Sequence, residues 1–480
     1  MILRPHGEFC KNAGKTSKIN LEMTGKDDMD SRKYDLTQGN ILSRLLLVAL
    51  PLMGTQLMTM AYNLTDMFWL GRIGRDAVAA TGTAGMYIWL SIAFMHIGRM
   101  GAEIGVSQYI GKGDRLGARS FSQNAIFLAA LCGIGYALFI IGLRYPLIGF
   151  FNIYETAVAE GAKLYLKVVA FGMPFAFVND AVSGTFNGSG NSRVPFIING
   201  AALAINMILS PLFIFVLDMG IAGAALATVI AQSLAMTASL ITLRFSSIRP
   251  FDDMRLIHKP DLIRIKQIFR WVAPITTESA AFTFLSMFVA RFIAAFGADA
   301  IAVQRIGIQI ESISWLIAGG FGSALTAFIG QNYGRGCYDR IRKGAILGMR
   351  TMILWGIVAT AIPLIFGRQL FWIFIQDEAV VEEGIRFLRI LSVSQVLICL
   401  EFWAVGVFRG LGKTIPPSIT TITGNALRIP LSWFLSQTAL GLAGLWWGLA
   451  IGACLRGITL TIWYHVHARK FPKEKETVTT

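Results

Sequence analysis

The chain has 480 residues, 54% of them hydrophobic and only 15% charged, with a mean hydropathy of +0.58. These values exclude an ordinary soluble domain and place the chain in a bilayer. Its net charge of +15 does not indicate nucleic-acid binding, because the Lys and Arg residues lie in short loops between apolar runs, where they set orientation.

Residues 1–40 are polar and mixed in charge, with no apolar core of a cleavable signal, and read as a cytoplasmic tail or an over-called start. Twelve apolar runs follow, near 43–71, 78–110, 118–145, 157–187, 194–217, 221–245, 267–297, 300–332, 341–367, 381–409, 415–438 and 442–466. Each is long enough to cross the hydrocarbon core as a helix. The expected fold is therefore an all-α integral membrane protein of twelve spans.

The second half repeats the first at an offset of about 222 residues. VSQYIGKG (Val106 to Gly113) returns as IGQNYGRG (Ile329 to Gly336), and TFNGSGNSRVP (Thr185 to Pro195) as VFRGLGKTIPP (Val407 to Pro417); Pro51 falls on Pro274. Two six-helix lobes are expected, 41–246 and 267–468, joined by a cytoplasmic linker at 247–266 and followed by a basic tail at 469–480. Six spans per lobe give both lobes one orientation and a pseudo-two-fold axis along the membrane normal, with the cleft between them as the default substrate site. Two fused lobes complete that cleft without a second subunit, so a monomer suffices.

Basic residues collect in loops after the even-numbered spans: Lys112, Arg115 and Arg119, then Arg249 to Arg270, then Arg335, Arg340, Arg342 and Lys343. The opposite loops include Asp377, Glu378, Glu382 and Glu383. Both termini are thus expected in the cytoplasm, in a multi-pass protein of the plasma (inner) membrane.

Within the first span Thr55, Thr59, Tyr62 and Asp66 lie at i, i+4, i+7 and i+11, with Asn63 beside them, and form a polar stripe that cannot face lipid. An Asp at a helix centre costs about 2.5–3.5 kcal/mol on insertion scales, so Asp66 reads as an ion, proton or substrate group, or else as a cap paired with a neighbour such as Arg72. Pro51 breaks the backbone ladder of the same span and is the expected hinge. Arg99 and Glu103, at i and i+4 on the second span, read as an internal ion pair. The second lobe carries Glu278, Glu311, Glu401 and Arg428 inside spans, either as coupling groups or as a structural set in which Arg428 neutralises Glu278 or Glu311. Methionines crowd the first lobe, Met58 and Met67 among them, either as packing or as an adaptable ligand lining.

The segment YNLTDMFWLGRIG (Tyr62 to Gly74), together with ALP (Ala49 to Pro51), the glycine motifs after the second and eighth spans and TFNGSGNSR, resembles the multidrug and toxic compound extrusion (MATE) family, in its prokaryotic DinF/NorM-like branch, over residues 35–470. The resemblance implies a secondary-active antiporter that exports cationic or amphipathic organic compounds against protons or sodium by alternating access. It also implies no cofactor beyond the coupling ion, and small organic cations and membrane lipid as partners. In family members with an amino-lobe ion site, the first-helix Asp is joined by Asn-x-x-x-Asp-Pro on the fifth helix and a Thr on the sixth. Here Asn206 and Thr228 match, but Ser210 stands in place of the second acid. With Asp66 as the sole carboxylate of that set, proton coupling is expected, and a weak sodium site at Asp66, Asn206 and Thr228 stays open. The alternatives are a lipid-linked oligosaccharide flippase of the same superfamily and, more remotely, an integral-membrane enzyme. The latter is disfavoured because the chain has no nucleophile elbow, His-rich metal set or P-loop.

Overall fold

A segment crossing hydrocarbon alone must bond its own backbone, and among the described residues every regular element is helical. The computed structural model describes residues 34–151, 155–255 and 258–472. The amino-terminal half contains α1 (Ile41–Ile73), α2 (Arg75–Gly111), α3 (Arg115–Gly149), α4 (Thr156–Gly188), α5 (Arg193–Pro211) and α6 (Gly220–Phe245). The carboxy-terminal half contains α7 (Leu262–Ala294), α8 (Ala298–Arg335), α9 (Tyr338–Trp372), α10 (Glu378–Ser392), α11 (Gln395–Gly410), α12 (Ile415–Ser436) and α13 (Leu442–Ala468). Asn40, Asp114, Asp261 and Asp377 start four of these helices by accepting backbone N–H bonds of the first turn.

Among the described residues ten helices are long and apolar enough to cross a membrane, and α10 with α11, bent by 49°, passes the same test as a pair and counts as an eleventh span if the two are taken together. The expected tenth span is therefore broken rather than continuous. Thr360 of α9 donates to the Ser392 carbonyl at the break, 3.2 Å away, and so satisfies an acceptor that the interrupted ladder leaves free. α12 carries Arg428 and several hydroxyl residues, and packs along α7 and α13 in the place of a twelfth span. The fifth span also departs from a plain helix, because Leu212–Val216 continues α5 as a π turn after Pro211.

The sequence repeat is a repeat of packing. In the amino-terminal half α2 packs on α4, α4 on α6, α5 on α6 and α1 on α5; in the other half α8 packs on α11, α11 on α13, α12 on α13 and α7 on α12. The repeated glycines have a backbone reason. Gly113 and Gly336 turn the chain into α3 and α9 with φ of 76° and 80°, and Gly190 and Gly412 turn it into α5 and α12 with φ of 89° and 71°.

The halves join through α1 on α8, and α2 on both α7 and α8. α2 and α8 cross at Gly111 and Gly334, where a Cβ would collide with the Gln331 and Gln108 carbonyls, respectively. Gln108 Nε2 donates to the Gly410 carbonyl at 3.0 Å, and Gln331 Nε2 to the Gly188 carbonyl at 3.0 Å. Residues 100–108 and 324–332 are buried throughout. This closed end is also where the described termini lie: Leu36 N–H donates to Gln331 Oε1, Arg335 bonds Thr37, and Arg342 bonds the Phe471 carbonyl. The connection between the halves folds against the same end, with Gln123 and Arg119 donating to carbonyls at 252–255. α7 begins at Leu262, so Arg264, Lys266 and Arg270 lie on that helix rather than in a loop.

Candidate functional site

Membrane interiors tolerate polar side chains where those groups bond one another, and the amino-terminal half has such a cluster. α1 packs beside α5 and α6, which turns one face of its polar stripe towards them. Tyr62 OH lies 3.0 Å from Thr228 Oγ1, and Asn206 Nδ2 donates to the same Thr228 oxygen at 3.4 Å. Ser210 Oγ donates to Asn206 Oδ1 at 3.1 Å, while Thr228 also donates to the Ala224 carbonyl of its own helix at 3.1 Å. Asn206 and Ser210 are buried.

Asp66 stands one turn beyond Tyr62, within electrostatic reach of Tyr62 and Tyr165. Its Oδ1 is buried without a hydrogen-bond partner among the described residues, as is Nε1 of nearby Trp69. Arg72 does not pair with it; that guanidinium lies over the rings of Phe68 and Trp69, at 4.7 and 5.6 Å. The cluster is thus a bonded set of hydroxyls and amides from three helices beside a carboxylate whose hydrogen-bonding capacity is unfilled.

The rest of the α1 stripe divides. Thr55 and Thr59 spend their hydroxyls on the carbonyls of Pro51 and Thr55, four residues back, and Thr59 and Asn63 are exposed. The helix runs without interruption through Pro51. Met58 and Met67 are exposed whereas Met100 and Met173 sit in the core, so the methionines divide as well. An open groove of about 740 Å³ lies elsewhere, between α1 and α5 near Asn40 and Arg193, and shares no lining residue with the polar cluster.

In the second half Glu278, Glu311 and Glu401, the acids expected within spans, each have a partner. Glu278 accepts from Ser418 at 2.8 Å and pairs with Arg409 at 3.8 Å. Glu401 holds Arg456 through both oxygens, at 2.9 and 3.0 Å, and Arg456 also bonds Asn425. Glu311 is buried and accepts from Gln395 at 2.9 Å. Arg428 neutralises neither Glu278 nor Glu311: it donates to Ser286 at 2.7 Å and lies over the Phe282 ring.

The expected Arg99–Glu103 pair does not form. Arg99 reaches across to Asp180 of α4, 3.3 Å away, because Gly184 lets α4 approach the α2 backbone at Arg99. Sequence reading passed over Asp180, Arg409 and Arg456, although each is a charge within or at the end of an apolar run and so carried the signal of a functional or paired group.

Comparison with known proteins follows the same division into halves. The MatE family model matches twice, at residues 51–212 and 274–434, which together span more than half of the chain. The chain is 29% identical over 419 residues to the probable multidrug resistance protein NorM of Thermotoga maritima, covering 85% of this chain and 89% of that protein. It is 26% identical to the multidrug resistance protein PmpM of Pseudomonas aeruginosa, covering 91% and 93%. A crystal structure of MATE in complex with MaD3S superposes with a TM-score of 0.86 at 20% identity, covering 94% of this chain and 99% of that one. Two matched halves, full-length relatives and a common fold make this chain a member of the MatE family, a multi-pass membrane transporter and not an enzyme.

Proposed function

We propose that this protein exports cationic or amphipathic organic compounds by alternating access, in exchange for protons, with Asp66 as the coupling residue. The observation that carries the reading is the buried, unpartnered Asp66 oxygen beside the Tyr62–Thr228–Asn206–Ser210 set. A carboxylate there can take up a proton or hold a small cation, and either event changes what Tyr62 and its neighbours bond. Ser210 in place of a second acid leaves one carboxylate in the set, which favours a proton over sodium. The names of the full-length relatives support organic drugs as cargo. Basic residues around the closed end, including Lys112, Arg115, Arg340 and Lys343, support a cytoplasmic location for that face and for both termini. The closed end then faces the cytoplasm of a cell whose inner membrane holds the protein, and Pro51 serves as the bend through which α1 responds.

The test uses vesicles preloaded with ethidium and imposed pH or sodium gradients. Efflux driven by the pH gradient and lost in Asp66→Asn is the expected result. Sodium-driven efflux would refute proton coupling, and gradient-driven efflux untouched by the substitution would remove Asp66 from the mechanism.

A further inference from the structure

Where the two halves meet, α2 is gripped from both sides. Gly184 and Gly188 of α4 admit the backbone at Arg99 and Glu103, and Gly101 admits Ile268 of α7. Small residues let these three helices approach closely, and Glu103 is fully buried between them. Neither of its carboxylate oxygens has a hydrogen-bond partner among the described residues.

Three arginines near this seam have acid partners. Arg99 has Asp180, Arg409 has Glu278, and Arg456 has Glu401. Among the described residues the charged groups in electrostatic reach of Glu103 are Arg99 on its own helix, Arg409 from α11 and Asp180 from α4. His96, two turns earlier on α2, is shared with Ser279 of α7 at 3.4 Å and faces the same two arginines. Glu103 is therefore the acid left over when the pairs are made. An ionised carboxylate with both oxygens unbonded in a dry interior is strongly disfavoured, so the neutral carboxyl is the form that fits the closed seam.

We propose that Glu103 is a protonation-dependent latch on the seam, neutral while the seam between α2 and α7 is closed and ionised when the seam opens. This rests on the alternating-access reading above. On opening, water enters from the terminus face and solvates the carboxyl. The carboxyl O–H bond breaks, the proton passes to that water, and the carboxylate is left solvated beside Arg99, one turn away on the same helix. Closure takes the proton back from the same face, so Glu103 adds nothing to net proton flow and instead sets how readily the seam closes at a given pH on that face.

Hydrogen–deuterium exchange of the full chain in lipid nanodiscs, without substrate, tests this directly. Rates are measured over a pD series and corrected for the intrinsic chemical rate. In the wild type, exchange at 97–108 and 324–332 is expected to rise about tenfold with increasing pD as the seam opens. Glu103→Gln, fixed in the neutral form, is expected to stay protected and flat, and Glu103→Met, which keeps the length but not the polar head, is the second variant. Variants that track the wild-type profile, or a flat wild type, overturn the proposal. The assay involves no drug and no gradient, so its failure is separable from failure of the Asp66 reading. Asp66→Asn is expected to lose pH-driven ethidium efflux while keeping the pD-dependent exchange, and loss of both would assign the pD response to Asp66 and overturn the role of Glu103.

Discussion

The crossing of α2 and α8 should govern the balance between closed and open forms, and single methyl groups can show it. In Gly111→Ala and Gly334→Ala the added Cβ meets the carbonyl of Gln331 or Gln108. These are backbone atoms of packed helices, so neither can rotate aside as a side chain tip would. Overpacking of this kind costs roughly 1–3 kcal/mol. The cost falls on the closed form alone, and a free-energy difference of about 1–3 kcal/mol between two states shifts their ratio by about 5- to 150-fold. Alanine also gains up to about 1 kcal/mol in helix propensity over glycine, but both forms contain the helices and the gain cancels from the ratio. The assay is deuterium exchange at 324–332, paired with the rate of pH-driven ethidium efflux. Faster exchange and slower efflux are expected, of similar size in the two variants, since the two glycines occupy equivalent places in the repeat. Unchanged exchange in both, or an effect confined to one, would refute the idea that this crossing is the closing contact.

Three further substitutions test the polar sites. Ser210→Asp restores a second carboxylate next to Asn206 and should make efflux sodium-stimulated, read as a new dependence on the imposed sodium gradient. Tyr62→Phe removes the 3.0 Å contact to Thr228, worth about 0.5–1.5 kcal/mol, and should slow pH-driven efflux without abolishing it, unlike Asp66→Asn. Arg456→Met strands Glu401 without its cation, and should lower stability by about 3–5 kcal/mol in a thermal-unfolding assay; adding Glu401→Gln should recover much of that loss.

Span positions were legible because twenty-residue apolar runs have little alternative in a bilayer, and the repeat was legible because its glycines answer to positive φ at turns shared by both halves. The association of Tyr62, Asn206, Ser210 and Thr228 came from resemblance to a family rather than from periodicity, which cannot say which face of α5 or α6 meets α1. The pairing of charges escaped sequence reading for a related reason. Arg99 and Glu103 stand at ion-pair spacing on one helix, yet the guanidinium takes a partner on a neighbouring helix that glycines bring close. The bend at Val393 and Ser394 has no Pro or Gly to announce it, and depends on Thr360 of another helix to bond the freed carbonyl.

The reciprocal glutamines have one more consequence. Gln108 reaches from the amino-terminal half to Gly410, and Gln331 reaches from the other half to Gly188, so each half offers the same patch and receives its equivalent in return. That is the form of an isologous interface, the contact of a two-fold homodimer held here within one polypeptide. A change at either glutamine leaves its counterpart in place, so the seam keeps half of its grip after a single substitution and loses the rest only when both copies have changed.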